Sequence, residues 1–314
     1  MSRLAAVTGG TGFLGRETIL ALRRAGWRVR LLARSTYTHP QLVGGADERI
    51  LGDLRDTNAL RHLVTGADVI IHMAGLVKAL SRRDFMTINA EGSGTLAIMA
   101  ATHAPDAKLI CVSSMAAREP HLSPYAASKK SGEDRIISGF EGKDWLIIRP
   151  PAIYGPWDVS LLPLFRSLQL PAVPVFAPPE ARIAVIHVRD AAQAITNLSG
   201  DGPSRKILEL SDERPDGYSW GEILALAANA VGASRPVIKL PGGALVFAGA
   251  LSEIVAQIRR RPSILCRGKA REMLHPNWSA DPGKRPPAII WCPKIPLMQG
   301  LSETVSWYRN AGWL

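Results

Sequence analysis

The segment Thr8-Gly9-Gly10-Thr11-Gly12-Phe13-Leu14-Gly15 lies between an apolar run, Leu4–Thr8, and a helical pattern over residues 15–25. An apolar run that turns through several glycines straight into a helix reads as strand, tight turn and helix. Glycines there let backbone N–H groups come close to an anion, and the start of the following helix favours negative charge. This confines the first part of the chain to a small set of α/β units.

The alternation continues through the first half. Arg28–Ala33, 68–72, 108–113 and Trp145–Arg149 read as further strands, with helices between them over 57–65, 89–101 and 125–138. Such spacing predicts an α/β fold of Rossmann type, a doubly wound parallel sheet covered on both faces. After Arg149 prolines crowd the chain, at 150, 151, 156, 163, 171, 174, 178 and 179, where a packed sheet would lose its N–H donors. Residues 184–188 and 190–197 then resume a strand and a helix. The expected division is a dinucleotide-binding domain over 1–155, to which about 183–198 return, and a smaller, mixed C-terminal substrate-binding lobe over 156–182 and 199–314.

At 314 residues and 46% hydrophobic, the chain can bury the core of two lobes, and disorder is unlike it. No apolar run approaches the roughly 18–20 residues of a spanning helix. The start lacks a signal-peptide pattern, and Cys111, Cys266 and Cys292 are odd in number and far apart. These features predict a cytoplasmic protein with reduced thiols and no metal site. The net charge of +11 suits nucleic acid or a phosphorylated ligand. No nucleic-acid-reading motif accompanies it, so the expected partner is a small molecule. Residues 243–258, followed by Arg259, Arg260 and Arg261, read as a packed helix with a basic end rather than one resting on an anionic membrane.

Two features sharpen the chemistry. The second strand ends Leu31-Leu32-Ala33-Arg34-Ser35, where NAD-preferring domains carry an acidic side chain. A guanidinium there can bind a 2′-phosphate, so Arg34 points to NADP over NAD. Asp53, in Gly52-Asp53-Leu54, suits an adenine amino group, and Ala74-Gly75 would let backbone approach the cofactor. In Tyr125-Ala126-Ala127-Ser128-Lys129, tyrosine and lysine share one helix face, where an ammonium would lower the phenol's pKa. Ser114, after its strand, could hydrogen-bond a substrate oxygen.

In this order, the glycine loop, Asp53, Ala74-Gly75, Asn89, Val112-Ser113-Ser114, the YAASK run, Arg149-Pro150, Tyr154-Gly155-Pro156 and His187-Val188-Arg189-Asp190 resemble the extended short-chain dehydrogenase/reductases, the NAD-dependent epimerase/dehydratase superfamily. The closing helix near Trp307 and Trp313 resembles them too. The resemblance implies that Tyr125 is the acid/base, that Lys129 holds the nicotinamide ribose, and that Ser114 orients the carbonyl. It places Gly9, Gly12, Phe13, Leu14, Gly15, Asp53 and Leu54 along the dinucleotide, and Pro150 and Ile153 by the nicotinamide. Asn89 is expected to be structural.

Departures narrow the class. Met115-Ala116 follows Ser114 where sugar-nucleotide dehydratases place two acids. Arg182 stands five residues before His187, not four, which turns it away from a sugar diphosphate on a regular strand. The apolar residues of 161–176 form either a lobe core or an apolar substrate pocket. The expected activity is hydride transfer between a nicotinamide and a carbonyl or secondary alcohol of a modest apolar substrate. The alternative is a nucleotide-sugar epimerase with retained cofactor. A non-catalytic cofactor-sensing or assembly role is disfavoured because both Tyr125 and Lys129 are present. A homodimer through the helix after Tyr125 is compatible with the pattern.

Overall fold

The computed structural model describes residues 2–314 apart from 37, 38, 43, 177, 179, 234 and 235; Pro179 of the proline cluster therefore lies outside the described residues. The chain opens with β1 (Leu4–Thr8), α1 (Phe13–Arg24), β2 (Arg28–Ala33), β3 (Glu48–Leu51), α2 (Thr57–Val64) and β4 (Val69–His72). After β4 come α3 (Arg82–Phe85), a π-helical turn (Met86–Glu91), α4 (Gly92–His103), β5 (Lys108–Val112), α5 (Pro124–Gly139), β6 (Trp145–Arg149) and β7 (Ala152–Tyr154). Next are α6 (Leu162–Ser167), β8 (Val173–Val175), β9 (Arg182–Ile183), β10 (Val185–His187), α7 (Val188–Asp201), β11 (Lys206–Glu209) and α8 (Trp220–Val231). The chain closes with β12 (Val237–Lys239), α9 (Gly242–Arg259), α10 (Arg267–Leu274), β13 (Asn277–Trp278) and α11 (Leu297–Asn310).

Seven parallel strands form the main sheet in the order β11-β6-β5-β4-β1-β2-β3. Side chains alternate through it. Val7, Ile71, Ile110 and Ile148 enter one core with Ile19 and Leu22 of α1 and Ile195 and Leu198 of α7. Ala6, Ile70, Leu109 and Ile147 enter another with Leu60, Leu96 and Ile136 from α2, α4 and α5. Strands buried on both faces need unbroken apolar runs, which is why β1, β4, β5 and β6 were readable. The edge strands β3 (Glu-Arg-Ile-Leu) and β11 (Lys-Ile-Leu-Glu) were not, because charges protect an edge.

Two placements differ from the expected organisation. The strand expected at 184–188 pairs as β10 with β7 in a separate two-stranded sheet, while α7 packs on the main sheet beside α1. Within the region expected to be lobe, β11 joins the main sheet against β6, so the chain returns to the sheet again after α7.

Phe165, Leu168 and Val173 are buried with Tyr154, Leu224, Leu301 and Tyr308 in a third core. The apolar residues around 161–176 thus serve chiefly as lobe core.

Candidate functional site

The glycine loop is built by contact. Gly9 has φ +73°, and a Cβ there would stand 2.4 Å from the Ala74 amide nitrogen. A Cβ on Gly15 would stand 2.2 Å from the Gly9 carbonyl oxygen. Only hydrogen fits at either place. Gly12 caps α1 with no side-chain hydrogen bond, leaving the amides of the first turn, at Phe13 and Leu14, without intrahelical acceptors. Free amides at a helix start favour an anion.

Arg34 stands exposed just beyond β2. Asp53, beyond β3, accepts the Arg55 amide at 2.8 Å and its guanidinium at 2.6 Å. Arg55, with Arg34 beyond it, holds the Asp53 carboxyl below its ordinary range. Leu54 is buried, against Gly92 at the start of α4.

Between the loop and α5 runs a chain of hydrogen bonds whose protons can be assigned. Ser93 Oγ donates to the Asn89 carbonyl (2.7 Å), so it accepts from His72 Nε2 (2.8 Å). His72 Nδ1 is then the acceptor for Thr8 Oγ1 (2.7 Å), which itself accepts the Ala74 N–H (3.2 Å). Burial, with Lys129 nearby, depresses the His72 pKa to about 3, keeping the ring neutral as this tautomer requires. Asn89 binds Leu76 through both its amide and carbonyl groups and donates to Ser128 Oγ at 2.9 Å. Its side chain fixes the 74–76 turn to α5.

Ser123 caps α5 by accepting the Ala126 amide, and Pro124 occupies the first turn. One turn of the same helix then presents Tyr125 and Lys129 together. Lys129 Nζ donates to the Val112 carbonyl at 2.9 Å, and a Cβ on Gly75 would stand 3.8 Å from it. Burial holds its ammonium below the usual lysine range. Ser114 Oγ accepts the Ala116 amide (3.2 Å), which leaves its proton to donate to the Tyr125 oxygen. Ser113, its neighbour, is buried with an unpartnered hydroxyl. Pro150 accepts the Met115 amide at 3.0 Å, and Ile153 packs on the sheet below.

The expected lowering of the tyrosine pKa is absent. Burial pushes Tyr125 up to about 12; the Ser114 hydrogen bond opposes this and the Glu272 charge adds to it. The cause is burial, which penalises the phenolate, while the Lys129 amine points at the Val112 carbonyl.

Glu272 escaped the sequence reading. It is buried on α10, accepts hydrogen bonds from Ser123 Oγ and Lys269 Nζ, and so lies one cap away from Tyr125. A Cβ on Gly268 would stand 2.7 Å from the Ser123 Cβ, which shows how tightly α10 rests on the start of α5. The helix beginning at 125 was legible, but nothing local links its cap, Ser123, to a residue 149 positions away.

Arg182, of β9, bonds Glu222 at 3.3 Å.

A profile of the NAD dependent epimerase/dehydratase family matches residues 5–208. A ceramide reductase of Caulobacter vibrioides is 44% identical over 310 residues, covering 98% of this chain and 95% of that protein. A 2-alkyl-3-oxoalkanoate reductase of Stenotrophomonas maltophilia is 25% identical, over 94% and 96% of the two chains. In fold, the chain is similar to the NAD complex of Thermus thermophilus UDP-glucose 4-epimerase, with a TM-score of 0.72, 22% identity and coverage of 98% and 99%.

Proposed function

The chain is an oxidoreductase of the NAD-dependent epimerase/dehydratase family, and we propose that it uses NADPH to reduce a ketone carried on a long-chain, ceramide-type lipid. The observation that carries this reading is the meeting of Ser114 and Tyr125, with Lys129 beside Gly75, whose neighbour Ala74 lies against Gly9 of the glycine loop. Two apolar side chains border the Ser114–Tyr125 pair. The Phe85 ring meets Tyr125 edge-on with centroids 6.0 Å apart, and Met115 is buried beside Ser114. The names of two relatives, one for ceramide and one for a 2-alkyl-3-oxoalkanoate, support a lipid ketone.

Gly9, Gly12, Gly15 and the first-turn amides at Phe13 and Leu14 would hold the pyrophosphate, and Arg34 the 2′-phosphate. Asp53 and Leu54 would flank the adenine, while Ala74, Gly75, Lys129, Pro150 and Ile153 would surround the nicotinamide riboside. When bound, the nicotinamide supplies the hydride taken up by the carbonyl carbon. Tyr125 gives its phenolic proton to the carbonyl oxygen, yielding the alcohol, and is reprotonated from water. Ser114 turns its hydroxyl proton to the same oxygen and stabilises the negative charge developing there. Lys129, whose amine lies beside Gly75, would hold the nicotinamide ribose. A phenol held neutral by burial is the form a reductase needs before transfer. The sugar-nucleotide alternative lacks support from Arg182, which is engaged by Glu222.

The test is coenzyme oxidation with a detergent-dispersed long-chain ketone. Turnover with NADPH should exceed that with NADH about tenfold or more, and Arg34→Ala should remove most of that preference. Preference for NADH, or tightly retained cofactor with interconversion of sugar nucleotides and no lipid turnover, would overturn the reading.

A further inference from the structure

Helix α9 turns its apolar residues the wrong way for folding. Its inward face is Leu245, Gly249 and Ala256, the three buried residues among eighteen. Gly249 lets the helix close onto α10, where a Cβ would stand 2.8 Å from the Cys266 carbonyl. Its outward stripe is Phe247 (73% exposed), Leu251, Ile254 and Ile258 (77% exposed), at spacings of four, three and four that place them on one face. The helix's one acid, Glu253, is tied to Arg267 at 2.6 Å. A merely solvated face would carry charges here; a run of large apolar side chains marks an interaction surface. The expected packed helix is therefore packed along one narrow face, at Leu245, Gly249 and Ala256.

Cations frame the stripe. Arg259, Arg260 and Arg261 are exposed at its C-terminal end. Along its edge, Gln257 Nε2 donates to the Leu80 carbonyl at 2.7 Å, bringing up the segment that carries exposed Lys78, Arg82 and Arg83. Among the described residues none of these six has an ion-pair partner. Asp84, the nearby acid, is engaged in capping α3. The same segment begins at Gly75 beside Lys129 and exposes Val77, while α10, on which α9 rests, presses Gly268 onto Ser123 just before Tyr125. The helix that carries the stripe is thus joined through α10 to the start of α5.

We infer that the outer face of α9, with Lys78, Arg82, Arg83 and Arg259, Arg260 and Arg261, docks on an anionic lipid bilayer. Apolar side chains enter the headgroup boundary and the cations meet lipid phosphates, each cation worth about fivefold in affinity. No helix among the described residues is long and apolar enough to cross a membrane, so this is attachment at the surface. A second copy of the chain fits the face less well, because it adds a like-charged cluster to one interface. Docked this way, the chain is held at the surface where the poorly soluble lipid ketone of the proposed reaction resides.

The test is co-sedimentation of the full-length protein with vesicles of phosphatidylcholine alone or containing phosphatidylglycerol, without substrate or coenzyme. It therefore succeeds or fails independently of the proposed ketone reduction. Binding should be at least about a hundredfold tighter to the anionic vesicles and should weaken in high salt. The exposed double variant Phe247→Ser/Ile258→Ser should weaken it at least about tenfold. The triple Arg259→Ser/Arg260→Ser/Arg261→Ser should weaken it about a hundredfold. Both should keep the wild-type thermal melt and NADPH affinity. Absence of binding to anionic vesicles, or wild-type binding by Phe247→Ser/Ile258→Ser, would overturn the inference. So would a wild-type dimer that this double variant dissociates, which would make the face an interface between copies.

Discussion

Helices α7 and α9 use apolar residues for opposite ends. In α7 nine of fourteen residues are buried, including Ile195 and Leu198 against the main sheet. In α9 three of eighteen are buried, and the largest side chains face outward. Apolar content alone therefore does not say whether a helix stabilises the fold. What decides is which face the small residues occupy, since they set how closely the helix can approach its neighbour.

The sheet side of this comparison can be broken at its tightest point. Gly9→Ala forces a side chain into left-handed backbone and against the Ala74 amide, and should cost about 2–5 kcal/mol while weakening NADPH binding in parallel. Chemical denaturation and coenzyme titration of the same sample measure both; an unchanged unfolding midpoint would show that the loop relaxes freely. Ile195→Ala in α7 should cost about 2–5 kcal/mol, whereas Phe247→Ser in α9 should stay within about 0.5 kcal/mol of wild type. Equal losses in denaturant titrations would erase the distinction between the helices.

The smallest effect is a pH slope. His72 is depressed to about 3 and His187 to about 4 in the folded protein, both chiefly by burial. Unfolded histidines take up protons near 6.5, so below that pH the unfolded state binds more protons. The stability these neutral rings contribute is complete above about pH 6.5 and declines as pH falls, at up to about 1.4 kcal/mol per pH unit for each ring. His72→Gln, which keeps a donor and an acceptor for Ser93 and Thr8, should flatten that slope in melts between pH 7 and 5. An unchanged slope would mean His72 is not held neutral.

Legibility followed locality. The loop at Gly9, the helix over 125–138 and the Tyr125–Lys129 pair are short-range patterns, and each could be read before the structure. The edge strands were hidden by their charges. Glu272 became visible only once α10 was seated on α5, because the contact joins distant parts of the chain through Gly268, a glycine in no recognisable spacing. The pKa of Tyr125 ran against expectation for a related reason. Residue spacing put Lys129 on the same helix face, but the Val112 carbonyl, set by the sheet, decides where its amine points.

The central claim is that Tyr125 is the proton donor over a bound nicotinamide. Its most direct test is Tyr125→Phe, with lipid-ketone reduction and the NADPH dissociation constant measured on one preparation. Turnover should fall about a hundred- to ten-thousandfold, with the dissociation constant within about twofold of wild type. Turnover retained by the phenylalanine variant would contradict the claim.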